Sequence, residues 1–238
     1  MTRGSPAENA SRAYYDRIAA NYDEQVDTLE NRLVRECFWQ CAEAALPARS
    51  RILDFGAGSG IDAQHFAGRG HFVAAYDPSN GMLDQLSRRC ADQIRDGFIV
   101  PIGGTLVAAA AILAQFDAFD AAFSNFGVFS TVSKLEPIFD LFAEYLRPGG
   151  LLLIVVQNPW HPAQLKTAAF WKGLPASAFT GAVRYSSQDL GLIYHHTPTR
   201  IIRAAGKDFR VGHRAVAPCR GECFGPRSFF RLIELVRR

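Results

Sequence analysis

The feature that most constrains the fold of this chain is a glycine-rich loop that follows a short apolar strand. The loop, Gly56-Ala57-Gly58-Ser59-Gly60, has glycine at every second position. A helical pattern and a second apolar strand come next, and that strand ends at Asp77. Glycines let the backbone approach a ligand closely, and a carboxylate at the end of the next strand can accept hydrogen bonds from two ribose hydroxyls. This strand–loop–helix–strand unit therefore predicts a site for a nucleoside-like ligand.

The spacing of the glycines distinguishes two kinds of nucleoside-binding fold. Dinucleotide-binding dehydrogenases have the pattern GxGxxG, in which the last glycine packs the helix against the strand. This chain has GxGxG, with Asp54 two residues before the first glycine and no further glycine until Gly68. The spacing therefore argues against a dehydrogenase.

With this loop the chain resembles the class I S-adenosylmethionine-dependent methyltransferases. Four other segments resemble the family as well, and all five occur in the family's order. The five segments are the N-terminal helix entry at 14–23, the glycine loop at 53–60, Asp77-Pro78-Ser79 with Met82, the strand Phe119–Asn125 and the run Leu146–Ile154. Together they are much more specific than any one of them.

The resemblance implies that S-adenosylmethionine is the cofactor and S-adenosylhomocysteine its product. It places the methionine portion at the glycine loop, the ribose hydroxyls at Asp77 and the adenine beside Met82. The residues implied in cofactor binding are Tyr14, Tyr22, Asp54, Gly56, Ala57, Gly58, Gly60, Asp77, Pro78, Met82, Gly104, Thr105, Ser124, Asn125 and Phe126. The loop after the third strand departs from the family, which commonly has an acid there, because this chain has Ile102-Gly103-Gly104-Thr105. We therefore expect the adenine contacts to come from backbone or from Thr105.

Three histidines in the second half of the chain are candidates for a general base. Methyl transfer is an in-line displacement, for which positioning alone can supply roughly 7–11 kcal/mol of barrier reduction. A base is required only if the acceptor arrives protonated. His161, His195 and His196 carry the side chain best suited to proton transfer near neutral pH. The neighbours His195 and His196 would point to opposite faces of a strand, so at most one of them would face the site.

Composition and charge exclude several classes of function. The chain has 238 residues, 48% of them apolar, a net charge of +3 and no apolar stretch long enough to span a membrane. We therefore expect a protein that binds neither membrane nor nucleic acid, while its oligomeric state is left open. The polar N-terminus lacks the apolar core of a signal peptide, which predicts a cytoplasmic protein. The five cysteines are then expected as free thiols, and no metal site is predicted.

Apolar strands alternate with helical patterns through the first two thirds of the chain, and the strands are nearly continuous in apolar residues. This alternation is typical of an α/β protein whose parallel strands are buried on both faces. We therefore predict a Rossmann-like, doubly wound and mostly parallel sheet with helices on both faces. Residues 1–10 are predicted as a disordered leader, and 11–238 as a single domain whose residues 11–46 form an N-terminal helical cap.

After the fifth predicted strand the alternation breaks. Residues 158–196, rich in aromatic residues, are predicted as an α/β lid insertion over the substrate, with a hairpin inside it. Its rings (Trp160, Phe170, Trp171 and Phe179) favour an apolar or aromatic methyl acceptor. A sixth strand is predicted over Phe209–Ala217 and a final helix over Ser228–Arg237. By this prediction the family's seventh strand is missing, or the edge of the sheet is formed in a different way.

The sequence leads to two hypotheses about function. The first is an enzyme that moves a methyl group from S-adenosylmethionine to an oxygen or nitrogen atom of a small, apolar or aromatic molecule. The alternative is a protein of the same fold that binds the cofactor or its product in a regulatory or scaffolding role, without methyl transfer.

Overall fold

The computed structural model of this chain describes residues 6–187, 190–212 and 223–238. Seven strands form one sheet: β1 (Arg51–Phe55), β2 (Phe72–Tyr76), β3 (Ile99–Ile102), β4 (Phe119–Ser124), β5 (Leu146–Gln157), β8 (Phe209–Val211) and β9 (Phe230–Arg237). A separate hairpin is formed by β6 (Ala182–Ser187) and β7 (Gly191–His196). The order in the sheet is β3-β2-β1-β4-β5-β9-β8. Strands β1 to β5 are parallel and β9 is antiparallel to both of its neighbours, which confirms the predicted fold class.

Helices precede the sheet and connect its strands. In chain order they are α1 (Pro6–Ile18), α2 (Tyr22–Val26), α3 (Leu29–Ala45), α4 (Ile61–Ala67), α5 (Asn80–Arg89), α6 (Ala91–Arg95), α7 (Leu106–Leu113), α8 (Glu136–Tyr145), α9 (Pro162–Leu165), α10 (Ala168–Thr180) and α11 (Pro198–Ala205). None of the helices in the described ranges has the length and apolar character that a membrane crossing requires.

Capping side chains fix where several of these helices begin. The hydroxyls of Thr28, Ser79 and Thr105 each accept a hydrogen bond from the backbone N–H three residues later. Such a cap satisfies one of the N–H groups that the first turn of a helix leaves unpaired. Because α5 and α7 start directly after the ends of β2 and β3, the intervening loops are short and stay at one edge of the sheet.

The sheet is buried on both faces, as a parallel sheet requires. Successive residues of β1 enter different cores: Ile52 packs in the cluster that contains Phe38 of α3 and Phe66 of α4. Leu53 packs on the other side, in the cluster that contains Phe142 of α8. Both layers therefore hold β1 in place at the centre of the sheet.

The last strand corrects a prediction. Ser228–Arg237 was predicted as a helix, whereas β9 is extended and pairs with β5 along the whole of Leu151–Gln157. The apolar residues Leu232, Ile233 and Leu235 fit either element by their spacing, so periodicity could not decide between them. The unpaired edge of β5 decides, because pairing in the sheet overrides local preference. The strand that the sequence left missing is present.

Two further boundaries differ from the predictions. Helix α1 begins at Pro6, so Pro6–Ala10, predicted within the disordered leader, are helical. Strand β8 is predicted correctly at its start, Phe209, but ends at Val211. The part of the predicted sixth strand from residue 213 onward lies outside the described residues.

A disulfide joins Cys37 of α3 to Cys223, with 6.5 Å between their Cα atoms. The expectation of free thiols is therefore wrong for these two cysteines. The fold places α3 beside the segment that leads into β9, and the spacing of cysteines in the sequence does not reveal this proximity. Cys41 and Cys90 are buried and form no disulfide. Cys219 lies outside the described residues.

Gly60 provides a test of the packing between α4 and α5. It has φ +84°, and a Cβ added to it would lie 2.7 Å from Cγ of Leu86. We expect Gly60→Ala to lower the free energy of unfolding by about 3 kcal/mol, since a left-handed alanine and an overpacked contact both add cost. Urea unfolding measures the loss.

Gly97→Ala is the matched control for this test. Gly97 has a similar φ of +78°, but its added Cβ would meet no atom within 4 Å. It should lose only about 1 kcal/mol, the backbone part of the effect. Equal losses in the two variants would contradict the packing argument.

Candidate functional site

A cavity of about 690 Å³ opens at the carboxyl ends of β1, β2 and β4. Its walls come from the glycine loop, from the loops after β2, β3 and β4, and from α1 and α3. Eleven of the residues predicted for cofactor binding line it, namely Tyr22, Gly56, Ala57, Gly58, Asp77, Pro78, Met82, Gly104, Thr105, Asn125 and Phe126. This edge is where ligands bind in α/β sheets. The structure thus brings most of the predicted residues together around one space.

Two glycines shape the loop in different ways. Gly56 has φ +82°, and an added Cβ would lie 2.3 Å from a methyl group of Val128, so only glycine lets the two segments pack. Gly58 has φ +55° and an added Cβ would meet no atom within 4 Å. Gly58 therefore presents bare backbone to open space in the cavity. The N–H groups of Gly56 and Ala57 donate to the carbonyl oxygen of Tyr76, which fastens the loop to β2.

The carboxylate of Asp77 joins the two loops that flank it. One oxygen accepts a hydrogen bond from the N–H of Gly58 and the other from the N–H of Ser79, both at 2.9 Å. Burial raises the pKa of Asp77 to about 6, against the lowering effect of these two hydrogen bonds. The carboxylate thus fixes the positions of both loops, and each of its oxygens, which accepts one of these hydrogen bonds, can accept another.

Asp54 lies in β1 and is not part of the cavity lining. Its side chain is buried, and its Oδ2 has no hydrogen-bond partner among the described residues. Burial, and then the charge of Asp62, raise the pKa of Asp54 well above its ordinary value. A buried carboxyl oxygen without a partner is costly, so this atom is a point at which a bound ligand or water would add a hydrogen bond.

Asp62 forms a buried network beside the cavity that the sequence did not indicate. Its Oδ1 accepts hydrogen bonds from Nη1 of Arg35 and from Nε1 of Trp39, each at 2.8 Å. Its Oδ2 accepts from Nδ2 of Asn125 at 3.0 Å. The guanidinium of Arg35 also lies 4.5 Å from the ring centre of Phe126. Three segments far apart in the chain are thereby locked together on one side of the cavity.

Carboxylates also fasten the N-terminal helices over the cavity. Asp16 accepts from Oγ of Ser79 at 2.7 Å and from the N–H of Gly81 at 3.0 Å. Asp23 pairs with Arg89 and accepts from the hydroxyl of Ser59. Asp16 therefore attaches α1 to the start of α5, and Asp23 attaches α2 to the glycine loop and to the end of α5.

Tyr15 of α1 lines the cavity, and the predicted Tyr14 does not. Tyr14 packs edge-on against Tyr15 at 5.3 Å between ring centres, so Tyr15 takes the place in the lining that the sequence suggested for Tyr14. Burial raises the pKa of Tyr15, and also that of Tyr22 to about 12. Both hydroxyls therefore stay protonated and act as hydrogen-bond donors at neutral pH.

Two other predicted cofactor residues lie outside the cavity lining. Gly60 begins α4 and packs against Leu86 instead of facing the cavity. Ser124, at the end of β4, is buried, and its hydroxyl has no hydrogen-bond partner in the described part of the chain. Both residues belong to segments that resemble the family, but Gly60 and Ser124 themselves pack into the protein interior and do not face the cavity. With Tyr14 and Asp54, these residues correct the predicted lining.

The three candidate bases are also outside the cavity lining. His161 caps α9, where its Nδ1 accepts from the N–H of Ala163. His195 and His196 are both buried in the hairpin, and Nε2 of His196 lies 2.8 Å from the carbonyl oxygen of Val132. Burial and the neighbouring His196 lower the pKa of His195 to about 4, so its ring is neutral. The hairpin thus buries His195 and His196, and His161 caps a helix, so none of the three side chains faces the cavity.

The predicted lid has the α/β content expected of it, with α9, α10 and the β6–β7 hairpin. None of its described residues lines the large cavity. Instead β7 packs against the short helical turn Val128–Thr131, which does line it. Across the described ranges, no group of three histidine, cysteine or acidic side chains could hold a metal ion.

Comparison with known proteins relates this chain to methyltransferases, in agreement with the position of the cavity. A family model described as a methyltransferase domain matches residues 22–199. A demethylmenaquinone methyltransferase of Parafrankia sp. is 31% identical over 182 residues, which cover 70% of this chain and 71% of that protein. The enzyme of the same name from Clavibacter sepedonicus is 32% identical over 145 residues. That match covers 60% of this chain and spans only 56% of the relative's length.

Solved structures share the fold at lower identity. The CcbJ methyltransferase of Streptomyces caelestis superposes with a TM-score of 0.64 at 18% identity, covering 96% of this chain and 98% of that one. The N-methyltransferase NodS of Bradyrhizobium japonicum, solved with S-adenosylhomocysteine, gives a TM-score of 0.63 at 15% identity, with coverage of 96% and 98%.

The raised pKa of Asp77 predicts a pH dependence of stability. Since its folded pKa of about 6 exceeds its ordinary value of 3.8, the folded protein holds the extra proton between these values. The contribution of Asp77 is thus full below pH 3.8 and is lost as the pH rises through about 6. Asp77→Asn removes the ionisation, so between pH 4 and pH 7 its stability should gain roughly 3 kcal/mol relative to the wild type. Urea unfolding across this range measures the difference.

Asp84→Asn, on the exposed face of α5, is the control, and its stability difference from the wild type should stay constant. A difference between Asp77→Asn and the wild type that does not change with pH would contradict the buried, proton-holding carboxyl.

Proposed function

This chain belongs to the class I S-adenosylmethionine-dependent methyltransferases, and we propose that it transfers a methyl group to an oxygen or nitrogen atom of a small apolar or aromatic molecule. One observation carries the proposal. The glycine loop and Asp77 meet at a single large cavity, held together by the hydrogen bond from Gly58 to the carboxylate.

The residues around the cavity fit the proposed cofactor. Gly58 leaves open space where a side chain would stand, so backbone can lie against the methionine portion. Asp77 would accept from the ribose hydroxyls, and Met82 with Thr105 would flank the adenine. The other predicted residues that line the cavity would also contact the cofactor.

Bound in this cavity, S-adenosylmethionine would supply an electrophilic methyl group. The chain contributes position and exclusion of water, chiefly by the N-terminal helices that Asp16 and Asp23 fasten over the cavity.

A histidine base is not part of this proposal. None of the three candidate histidines lines the cavity, and the tyrosines that do line it keep their protons. The arrangement favours an acceptor that arrives with a free electron pair or releases its proton to water.

The remaining wall supports an apolar acceptor. Residues that the cofactor proposal leaves over include Leu106, Val107, Val128, Val132 and Ile138, all of which line the cavity. Pockets for small organic ligands are mostly apolar with a few polar groups. The curated relatives are named for methylation of demethylmenaquinone, and an aromatic acceptor for this chain is consistent with those names.

The cofactor assignment is tested by titration with S-adenosylhomocysteine. Asp77→Ala should raise the dissociation constant at least about 100-fold, since two hydrogen bonds to a charged acceptor are lost. Asp77→Asn keeps one acceptor oxygen, so its dissociation constant should lie between those of the wild type and Asp77→Ala. Isothermal titration calorimetry measures all three.

Asp84→Ala, an exposed acid in the same helical region, is the control and should bind as the wild type does. Normal affinity in a folded Asp77→Ala protein would contradict the role of this carboxylate.

The activity itself is tested with methyl-labelled S-adenosylmethionine and a panel of acceptors. The panel contains reduced naphthoquinones, catechols and aliphatic amines, and we expect label on an aromatic member. With that acceptor His161→Gln should keep the rate within about twofold, because His161 does not reach the cavity. Tight S-adenosylhomocysteine binding without transfer to any acceptor would favour the regulatory or scaffolding alternative. A large loss of rate in His161→Gln would restore the histidine base.

A further inference from the structure

A second pocket, of about 350 Å³, lies where the β6–β7 hairpin meets α11 and the loop before α8. Its basic lining residues are Arg184 of β6 and Arg200 and Arg203 of α11. Arg200 and Arg203 are three residues apart and therefore share one face of that helix. Two elements thus bring three guanidinium-bearing side chains to one polar space.

The charge of this pocket is largely uncompensated. Arg200 pairs with Glu136 at 2.7 Å, and this pair lowers the pKa of Glu136. No ion pair within the described ranges engages Arg184 or Arg203. No acidic residue occurs among the described residues that line the pocket. Since like charges brought together cost free energy, the pocket is better suited to an anion than to water alone.

Hydroxyl groups complete the lining. Ser133, Thr180 and Tyr194 all contribute to the wall, and Tyr194 stands directly opposite Arg184 in the hairpin. Tyr194 also stacks on His196, with 5.8 Å between parallel rings. The hydroxyl of Thr180 donates to the carbonyl oxygen of Ala182, so the O–H donors beside the three guanidinium groups come from Ser133 and Tyr194.

His196 contributes a buried ring with one unused nitrogen. Its Nε2 lies 2.8 Å from the carbonyl oxygen of Val132, so this nitrogen carries the proton of the neutral ring and donates it. Its Nδ1 is buried and has no hydrogen-bond partner in the described part of the chain. In the neutral ring that nitrogen is an acceptor, and a ligand that carries one O–H group would complete it.

From these features we infer that this second pocket binds a phosphate group, either as free phosphate or as the phosphomonoester of a larger molecule. A phosphate offers several acceptor oxygens in the geometry that guanidinium forks match, whereas a carboxylate offers two. A singly protonated phosphate also carries an O–H group, which a carboxylate at neutral pH lacks. The combination of guanidinium forks, hydroxyl donors and an unused acceptor therefore selects phosphate.

The second pocket shares a wall with the large cavity. Ser133 lines both spaces, and Val132, whose carbonyl oxygen holds His196, lines the large cavity. The two sites are nevertheless formed by different donor sets, since neither the glycine loop nor Asp77 contributes to the second pocket. The phosphate site is thus independent of the proposed methyl transfer.

Titration of the full chain tests the inference, with inorganic phosphate and phenyl phosphate as the two probes. We expect saturable binding of at least one probe by isothermal titration calorimetry at constant ionic strength. The double substitution R184Q/R203Q should weaken it at least about tenfold, since charge-assisted hydrogen bonds are lost. Binding of both probes with similar affinity identifies free phosphate as sufficient, and binding of phenyl phosphate alone identifies a phosphate carried on a larger molecule.

R88Q/R95Q, which removes two exposed arginines near α5 and α6, is the matched control and should leave phosphate affinity unchanged. Circular dichroism and S-adenosylhomocysteine affinity report whether R184Q/R203Q is folded. Absence of saturable binding of either probe, or equal weakening in the two double variants, would overturn the phosphate site. Failure of S-adenosylhomocysteine to bind would instead overturn the proposed function and leave the phosphate result standing.

Discussion

The bridge from Asp77 to the two loops beside it is the interaction on which the site depends. One buried carboxylate accepts a backbone hydrogen bond from Gly58 and another from Ser79, and so sets the distance between the glycine loop and the start of α5. Burial makes this charge costly, as its raised pKa shows, and the two N–H groups offset part of the cost. This one carboxylate therefore positions two walls of the cavity, the glycine loop and the start of α5.

Much of the fold could be predicted from local sequence. The glycine pattern and the strand ending at Asp77 are short-range features, and the five parallel strands follow from nearly continuous apolar runs between helices. Strand β9 could not be predicted in the same way. Its apolar residues suit a helix or a strand, and its state depends on the edge of β5, some eighty residues earlier in the chain. The Cys37–Cys223 bond has the same origin, because only the folded chain brings these residues together.

The candidate site divides along the same line. Residues that follow directly from the end of a strand, such as Gly58 and Asp77, were predicted with the correct placement in the cavity. Side chains that reach it from other segments were missed, above all Arg35 and its partner Asp62. The choice between Tyr14 and Tyr15 depends on the rotation of α1 about its axis, which one residue changes by about 100°. His195 and His196 lie outside the cavity lining for a related reason, since the hairpin packs against the turn that lines the cavity, whereas His161 caps α9.

The attachment of α1 through Asp16 has a thermodynamic consequence. Residues of α1, among them Ser11 and Tyr15, form part of the cavity wall, while Asp16 anchors that helix to Ser79 and Gly81. A molecule that fills the cavity therefore binds more tightly to the protein with α1 docked than to the protein with α1 undocked. Because such coupling is reciprocal, the docking of the helix and the occupancy of the cavity each raise the equilibrium constant of the other by the same factor. Docking of the N-terminal helix therefore behaves thermodynamically as an intramolecular binding step that is coupled to occupancy of the cavity.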